Sequence, residues 1–166
     1  SRSLRELTVL IIGYGRIGRS VATQLAAQGC SIQVCDPFLP ADAACAFPRV
    51  DLLPGLAEAD VVSLHASGDR AVLGASEFAA AKPGLMVLNS ARGELVDETA
   101  LVAALESGQV GKAWFDAFWK EPYTGPLLRF PQVLLTPHTC TYTRRCRLQM
   151  ESEAVRNLLR DLGRPV

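Results

Sequence analysis

Short apolar runs alternate with stretches of helical periodicity along most of the chain. Thr8–Ile12 is a β-rich run ending at glycine and predicts a buried strand. Over residues 16–28, apolar Ile17, Val21, Ala22, Leu25 and Ala26 recur at helical spacing, and Gly29 marks the stop. Ser31–Cys35 predicts a second strand, residues 52–59 a helix and residues 60–64 a third strand. Leu85–Asn89 follows the Pro83-Gly84 turn as a fourth. Asp97 is suited to cap a helix reaching about Ser107, with Gly108 as its terminator. Residues 112–115 and 133–136 predict two more short strands. Residues 143–162 predict a long closing helix, with Gly163 and Pro165 just beyond it.

Strands that alternate with helices imply βαβ units, hence an α/β domain with a parallel sheet covered on both faces. No internal repeat or low-complexity segment interrupts the pattern, and Tyr123-Thr124-Gly125-Pro126 reads as a loop rather than a boundary. One domain over residues 1–166 is the economical count.

Composition narrows the partners. Seventeen basic residues balance seventeen acidic ones, so nothing electrostatic favours nucleic acid or an anionic membrane. No apolar run approaches the roughly 20 residues that span a bilayer, and the first five residues lack the apolar segment of a signal peptide. Five cysteines without a C-x-x-C pair do not suggest a disulfide framework, so a reducing cytoplasmic setting is expected. The chain opens on Ser1 rather than Met, which suggests a part of something longer.

Gly13-Tyr14-Gly15-Arg16-Ile17-Gly18 lies between the first strand and the first helix. In a G-x-G-x-x-G turn the first glycine makes the bend and the second lets a diphosphate approach the backbone. The third lets helix and strand pack closely. The helix N-terminus then offers unpaired N–H groups and a partial positive charge to the phosphates. Asp36 ends the second strand 18 positions after Gly18, close to the spacing of the acid that binds the adenosine ribose. A carboxylate there repels a 2′-phosphate and favours NAD over NADP. The expected architecture is therefore a Rossmann-type doubly wound sheet, a single NAD(P)-binding domain. Arg19 stands where a phosphate-binding P-loop needs lysine, and no tyrosine has a lysine four residues on, so P-loop and short-chain reductase chemistry drop out.

Three later segments carry a resemblance. Asn89-Ser90-Ala91-Arg92-Gly93-Glu94-Leu95-Val96-Asp97-Glu98 resembles the "N-x-x-R-G-x-x-V-D-E" segment of D-isomer-specific 2-hydroxyacid dehydrogenases. Asp116-Ala117-Phe118-Trp119-Lys120-Glu121-Pro122 is similar to their "D-V-F-x-x-E-P", with Ala117 for Val, and Thr136-Pro137-His138 to their "T-P-H". With the glycine loop these fall in family order over almost the whole chain.

The resemblance implies hydride transfer between NAD(H) and a D-2-hydroxy acid or its 2-oxo acid. Arg92 would grip the substrate carboxylate, His138 would exchange the proton of the carbonyl oxygen, and Glu121 would hold His138. Asp116 would lie near the nicotinamide carboxamide. Arg16 and Ile17, which open the first helix, would contact the cofactor through the backbone. Ser90, Ala91 and His65 would line the cofactor, His65 without a catalytic part. No metal is implied. After His65 the chain reads Ala66-Ser67-Gly68-Asp69-Arg70 where the family has "H-x-P-L-T". Family members carry a further domain that closes over the substrate, and they are usually homodimers built partly on a helix ahead of the first strand. A separate expectation stays open: an NAD(H)-sensing binding module, as in the corepressor relatives. A hydrolase of the S-adenosylhomocysteine type shares the glycine loop, but the order of Arg92, Glu121 and His138 argues against it.

Overall fold

A computed structural model describes residues 2–40 and 42–164; the expectation at Pro165 lies outside them. Six strands form one parallel sheet. β1 (Thr8–Ile12), β2 (Ser31–Cys35), β3 (Val61–Leu64), β4 (Leu85–Asn89), β5 (Val110–Phe115) and β6 (Val133–Leu135) lie in the order β2-β1-β3-β4-β5-β6. Between them run α1 (Arg16–Ala27), α2 (Leu52–Glu58), α3 (Ala75–Ala80) and α4 (Glu98–Glu106), and α5 (Arg144–Asp161) follows β6.

The apolar runs read as strands because both faces of a parallel strand are buried. Along β1, Leu10 and Ile12 face α2, α3 and α4 with Val62, Leu64 and Val87. Val9 and Ile11 face α1 with Ile32, Val34 and Val61. β5 starts two residues before the expected 112. The register slips between Leu85 and Met86, which pair with Val110 and Lys112, so Gly111 is the extra residue of a bulge that breaks the apolar alternation. A parallel bridge between Val34 and Arg49 extends the sheet beyond β2.

The long last helix forms over nearly the expected residues. α5 buries none of its residues, and Leu148, Val155 and Leu158 stand exposed along it, with Leu162 exposed at its C-cap. Its N-cap is Thr143, whose hydroxyl accepts from Cys146 N.

At the amino edge of the sheet, Asp60 ties together three segments distant in sequence. Its carboxylate accepts from Arg2, from Lys82 at 2.6 Å and from Thr8 N at 3.0 Å. The bonds from Arg2 foremost, and those from Lys82 and Thr8, outweigh burial and hold the carboxyl well below its ordinary value. Its contribution to stability is therefore complete above the unfolded carboxylate range near pH ~4 and is lost as pH falls through the lower folded value. Asp60→Ala should cost about 1–3 kcal/mol, seen as a lower Tm with NADH affinity unchanged, because Thr8 N loses its acceptor far from the cofactor.

Candidate active site

The strand order places the switch between β1 and β3, where loops diverge and leave a crevice at the carboxyl edge. Gly13 makes the turn out of β1 with φ +89° and donates its N–H to Cys35 O at 2.9 Å. A Cβ there would come within 2.5 Å of Ala66 N. At Gly18 a Cβ would overlap Gly13 O, so the third glycine seats α1 on the turn. Gly15 differs: nothing lies within 4 Å of its Cβ position. It is the N-cap of α1 and lends no side-chain cap, so the first-turn N–H groups face open space beside exposed Arg16 and Ile17.

Asp36 closes the other side of this cradle. One carboxylate oxygen accepts from Tyr14 N at 2.7 Å and the other from Phe38 N at 2.9 Å. Each oxygen keeps a lone pair that a ribose hydroxyl can use. Tyr14 is buried, set edge-on to Phe47 and under the Arg19 guanidinium, which also donates to Tyr14 O. A cleft of about 740 Å³ runs from Gly13 and Gly15 past Asp36 to Phe38, Arg49 and His65. The open Gly15 face, the free N–H groups and the acid fit a dinucleotide. Phe38, 91% exposed at the cleft rim, and Arg49, which fastens the 36–40 turn through Leu39 O and Pro40 O, are cleft residues that the sequence reading missed. Neither belongs to the glycine motif, so no local pattern marks them.

His65 lines the cleft, its Nε2 2.9 Å from the Ser63 hydroxyl. Burial pushes its imidazole below the ordinary value, which favours the neutral form.

Beyond β4 the chain makes a pinned loop. Buried Asn89 accepts from Ala91 N at 3.0 Å and donates to Arg92 O at 2.8 Å, which fixes Ser90, Ala91 and Arg92 at the carboxyl edge. The Arg92 side chain is exposed and donates to Ala91 O. Gly93 lies hard against the Phe118–Trp119 peptide, where a Cβ would overlap backbone atoms, and Trp119 Nε1 donates to Val96 O at 2.8 Å. The Arg92 loop and the segment before Glu121 are thus packed together.

Glu121 and His138 meet. Both carboxylate oxygens reach His138 Nδ1, at 2.9 and 3.1 Å, while the imidazole Nε2 makes no hydrogen bond among the described residues. The two side chains are 42% and 48% exposed, so they sit at an open edge rather than in a core. His138 has φ +53°, a left-handed backbone unusual for a non-glycine residue.

Asp116 holds that turn in place. Fully buried, it accepts from the Thr136 hydroxyl at 2.6 Å and from the backbone N–H groups of Thr139 and Cys140 at 3.0 Å each. Burial by itself would raise its pKa, but the bonds from Thr136, Cys140 and Thr139 outweigh it and keep Asp116 below the ordinary value. The Cys140 thiol is pushed up to about 11, by desolvation first and by Asp116 second, which keeps it protonated at neutral pH. All five cysteines are free thiols.

The family described as "D-isomer specific 2-hydroxyacid dehydrogenase, NAD binding domain" matches residues 1–140. The chain belongs to this family. NAD is accordingly its cofactor. It is 33% identical to the D-specific alpha-keto acid dehydrogenase of Enterococcus faecalis, with 95% of this chain and 53% of that protein covered. A glyoxylate reductase of Paecilomyes thermophila superposes with a TM-score of 0.88 at 36% identity, over 95% of this chain and 49% of that one. The NAD-complexed D-isomer specific 2-hydroxyacid dehydrogenase of Lactobacillus delbrueckii ssp. bulgaricus superposes with a TM-score of 0.87 at 29% identity, over all of this chain and 56% of that one. The chain thus spans about half the length of these relatives. No helix among the described residues is long and apolar enough to cross a membrane.

Proposed function

We propose that this domain is the cofactor half of an NAD-dependent enzyme that interconverts a D-2-hydroxy acid and its 2-oxo acid. The observation that carries the reading is the two-oxygen grip of Glu121 on His138 Nδ1, with Nε2 making no hydrogen bond among the described residues. NAD(H), when bound, supplies or takes the hydride. In the reductive direction His138 gives its Nε2 proton to the carbonyl oxygen, and Glu121 stabilises the imidazolium beforehand; in oxidation His138 takes that proton back. Arg92 grips the substrate carboxylate with its planar fork. Gly13, Gly15, Gly18 and the N–H groups of Arg16 and Ile17 hold the diphosphate, Asp36 the adenosine ribose. Ser90, Ala91 and His65 line the cofactor. Asp116 acts as the anchor of the His138 turn, its acceptor positions being turned toward Thr136, Thr139 and Cys140.

The site is open, and closure by a second domain of the kind that fills the rest of the relatives' length would exclude water from it. The domain by itself binds cofactor and turns over poorly. The whole protein acts in the cytoplasm on a small anionic substrate.

Titration of the chain with NADH and NADPH side by side tests the cofactor assignment. NADH should bind saturably and NADPH about ten- to a hundredfold more weakly, since the 2′-phosphate would face the Asp36 carboxylate. Asp36→Ala should weaken NADH and narrow the gap; equal affinities in the parent would refute it. In the complete enzyme, His138→Ala should lower kcat by about 10²–10⁴ with NADH affinity retained.

A further inference from the structure

Glu121 is half-exposed, and apart from His138 its carboxylate takes one bond, from Phe118 N at 3.3 Å. Something else must hold the loop that presents it. The rings of Phe118 and Tyr123, which flank Glu121 in sequence, stack at 4.7 Å between centroids and close that loop on itself. Tyr123 also leans on Trp119, and its ring fills the place where a Cβ on Gly125 would stand, within 2.5 Å of Cζ. The closed loop is then fastened at one point. Tyr123 Oη donates to Glu98 Oε1 at 2.5 Å and accepts from Leu127 N at 3.0 Å. Burial and the bond to Glu98 raise the phenol's pKa, so the donor role holds across the neutral range. Glu98 opens α4, directly after the cap Asp97 and the Val96 carbonyl that receives Trp119.

We propose that Tyr123 is a positioning residue for the proton-transfer pair, acting through the Glu121–Pro122 segment that its hydroxyl fastens to Glu98. This rests on the dehydrogenase reading above. The fastening is directional. Stacking alone fixes the ring plane but lets the loop slide along it, whereas the two hydrogen bonds of Oη fix the ring's position along α4 and against Leu127. Glu121 is two residues from that fixed point, so its carboxylate stays within reach of Nδ1. While it does, neutral His138 carries its proton on Nδ1, and Nε2 is the bare nitrogen that accepts the substrate proton in oxidation. Release of the loop would leave the tautomer to its own preference.

The chain has two histidines, which makes the tautomer directly readable by ¹⁵N NMR of histidine-labelled protein, with His65 as internal control. At a pH where His138 is neutral, the parent should show the Nδ1–H pattern. Glu121→Ala, which leaves Nδ1 without an acceptor, sets the pattern of a broken pair. Tyr123→Phe, which keeps the stack and removes only the hydroxyl, should move His138 most of the way toward the Glu121→Ala pattern and leave His65 unchanged. Glu98→Ala should do the same from the other side of the bond, and it supplies the reading if Tyr123→Phe fails to fold. In the complete enzyme Tyr123→Phe should lower kcat about tenfold with the KM for NADH unchanged. A His138 pattern in Tyr123→Phe or Glu98→Ala identical to the parent, while Glu121→Ala differs, overturns the role of Tyr123 and leaves the pair intact. If Glu121→Ala itself matches the parent, the pair is not formed, and it is the dehydrogenase reading that fails.

Discussion

Gly18→Ala should abolish measurable NADH binding and lower Tm by many degrees, whereas Gly15→Ala should abolish binding with Tm almost untouched. The two glycines belong to one motif but meet different surroundings. A Cβ on Gly18 would overlap the carbonyl oxygen of Gly13, a backbone atom in the turn that also packs against Ala66. No rotamer relieves a clash with backbone, so α1 must lift off β1 and the turn must open. Overpacking of this kind costs about 1–3 kcal/mol where side chains can yield, and more here because none is available to yield. A Cβ on Gly15 meets no protein atom within 4 Å. Its φ of −74° is one that alanine adopts freely. What it occupies is the space in front of the first-turn N–H groups, where a diphosphate must come close to the backbone. Thermal melts and NADH fluorescence titration on the two variants check the contrast. A Gly15→Ala variant that binds NADH as the parent does would mean the diphosphate lies elsewhere.

This contrast shows where sequence reading succeeded and where it could not reach. The β1–glycine loop–α1–β2–Asp36 unit was legible because its signals are local. Apolar runs, a turn that only glycine tolerates and an acid at a fixed offset lie within 30 residues. Nothing local distinguished Gly18 from Gly15, since that difference depends on what the loops after β1 and β3 bring together. The helix α3 went unread for a related reason. It is six residues long and buries only Phe78, too little for a periodicity to show. Its start is marked by Gly74, whose N–H is taken by Glu77 rather than by a conventional cap residue. α5 was legible as a helix but not in its packing. An apolar stripe at helical spacing marks a helix and says nothing of the surface it meets.

The candidate catalytic residues show the same division. Arg92, Glu121 and His138 were named from motif order, and the fold sets them after β4, β5 and β6, three neighbouring strands of one parallel sheet. Neighbouring parallel strands end at the same edge, so convergence at that edge follows from topology. The contact between Glu121 and His138 does not. It depends on the left-handed turn at His138 and on the Phe118–Tyr123 loop, and both are tertiary features. Asp116 was placed beside the nicotinamide by resemblance. Its three donors come from residues 20 to 24 positions later, which no local pattern announces.

Asp116→Asn in the complete enzyme should therefore lower kcat by about a hundredfold while KM for NADH changes little. The substitution keeps size and burial but turns one acceptor oxygen into a donor. In the parent, one oxygen receives the Thr136 hydroxyl and Thr139 N–H, and the other receives Cys140 N–H. An amide can serve one of these sides only; on the other, N–H faces N–H in a buried site. Hydrogen bonds to a charged group contribute about 1.5–3 kcal/mol each, and a buried donor left without its acceptor costs about as much. The turn at residues 137–140 relaxes from its φ +53° geometry, and His138 leaves Glu121 for part of the time. The pH dependence of stability carries an independent signature. Asp116 is held below its ordinary value, so its contribution is fully present above the unfolded carboxylate range near pH ~4 and disappears as pH falls through the folded value. Asp116→Asn should remove this increment, so that parent and variant differ most in Tm above pH ~5 and converge in acid. A constant Tm difference across that range, with kcat unchanged, would show that the His138 turn keeps its shape without a charged anchor.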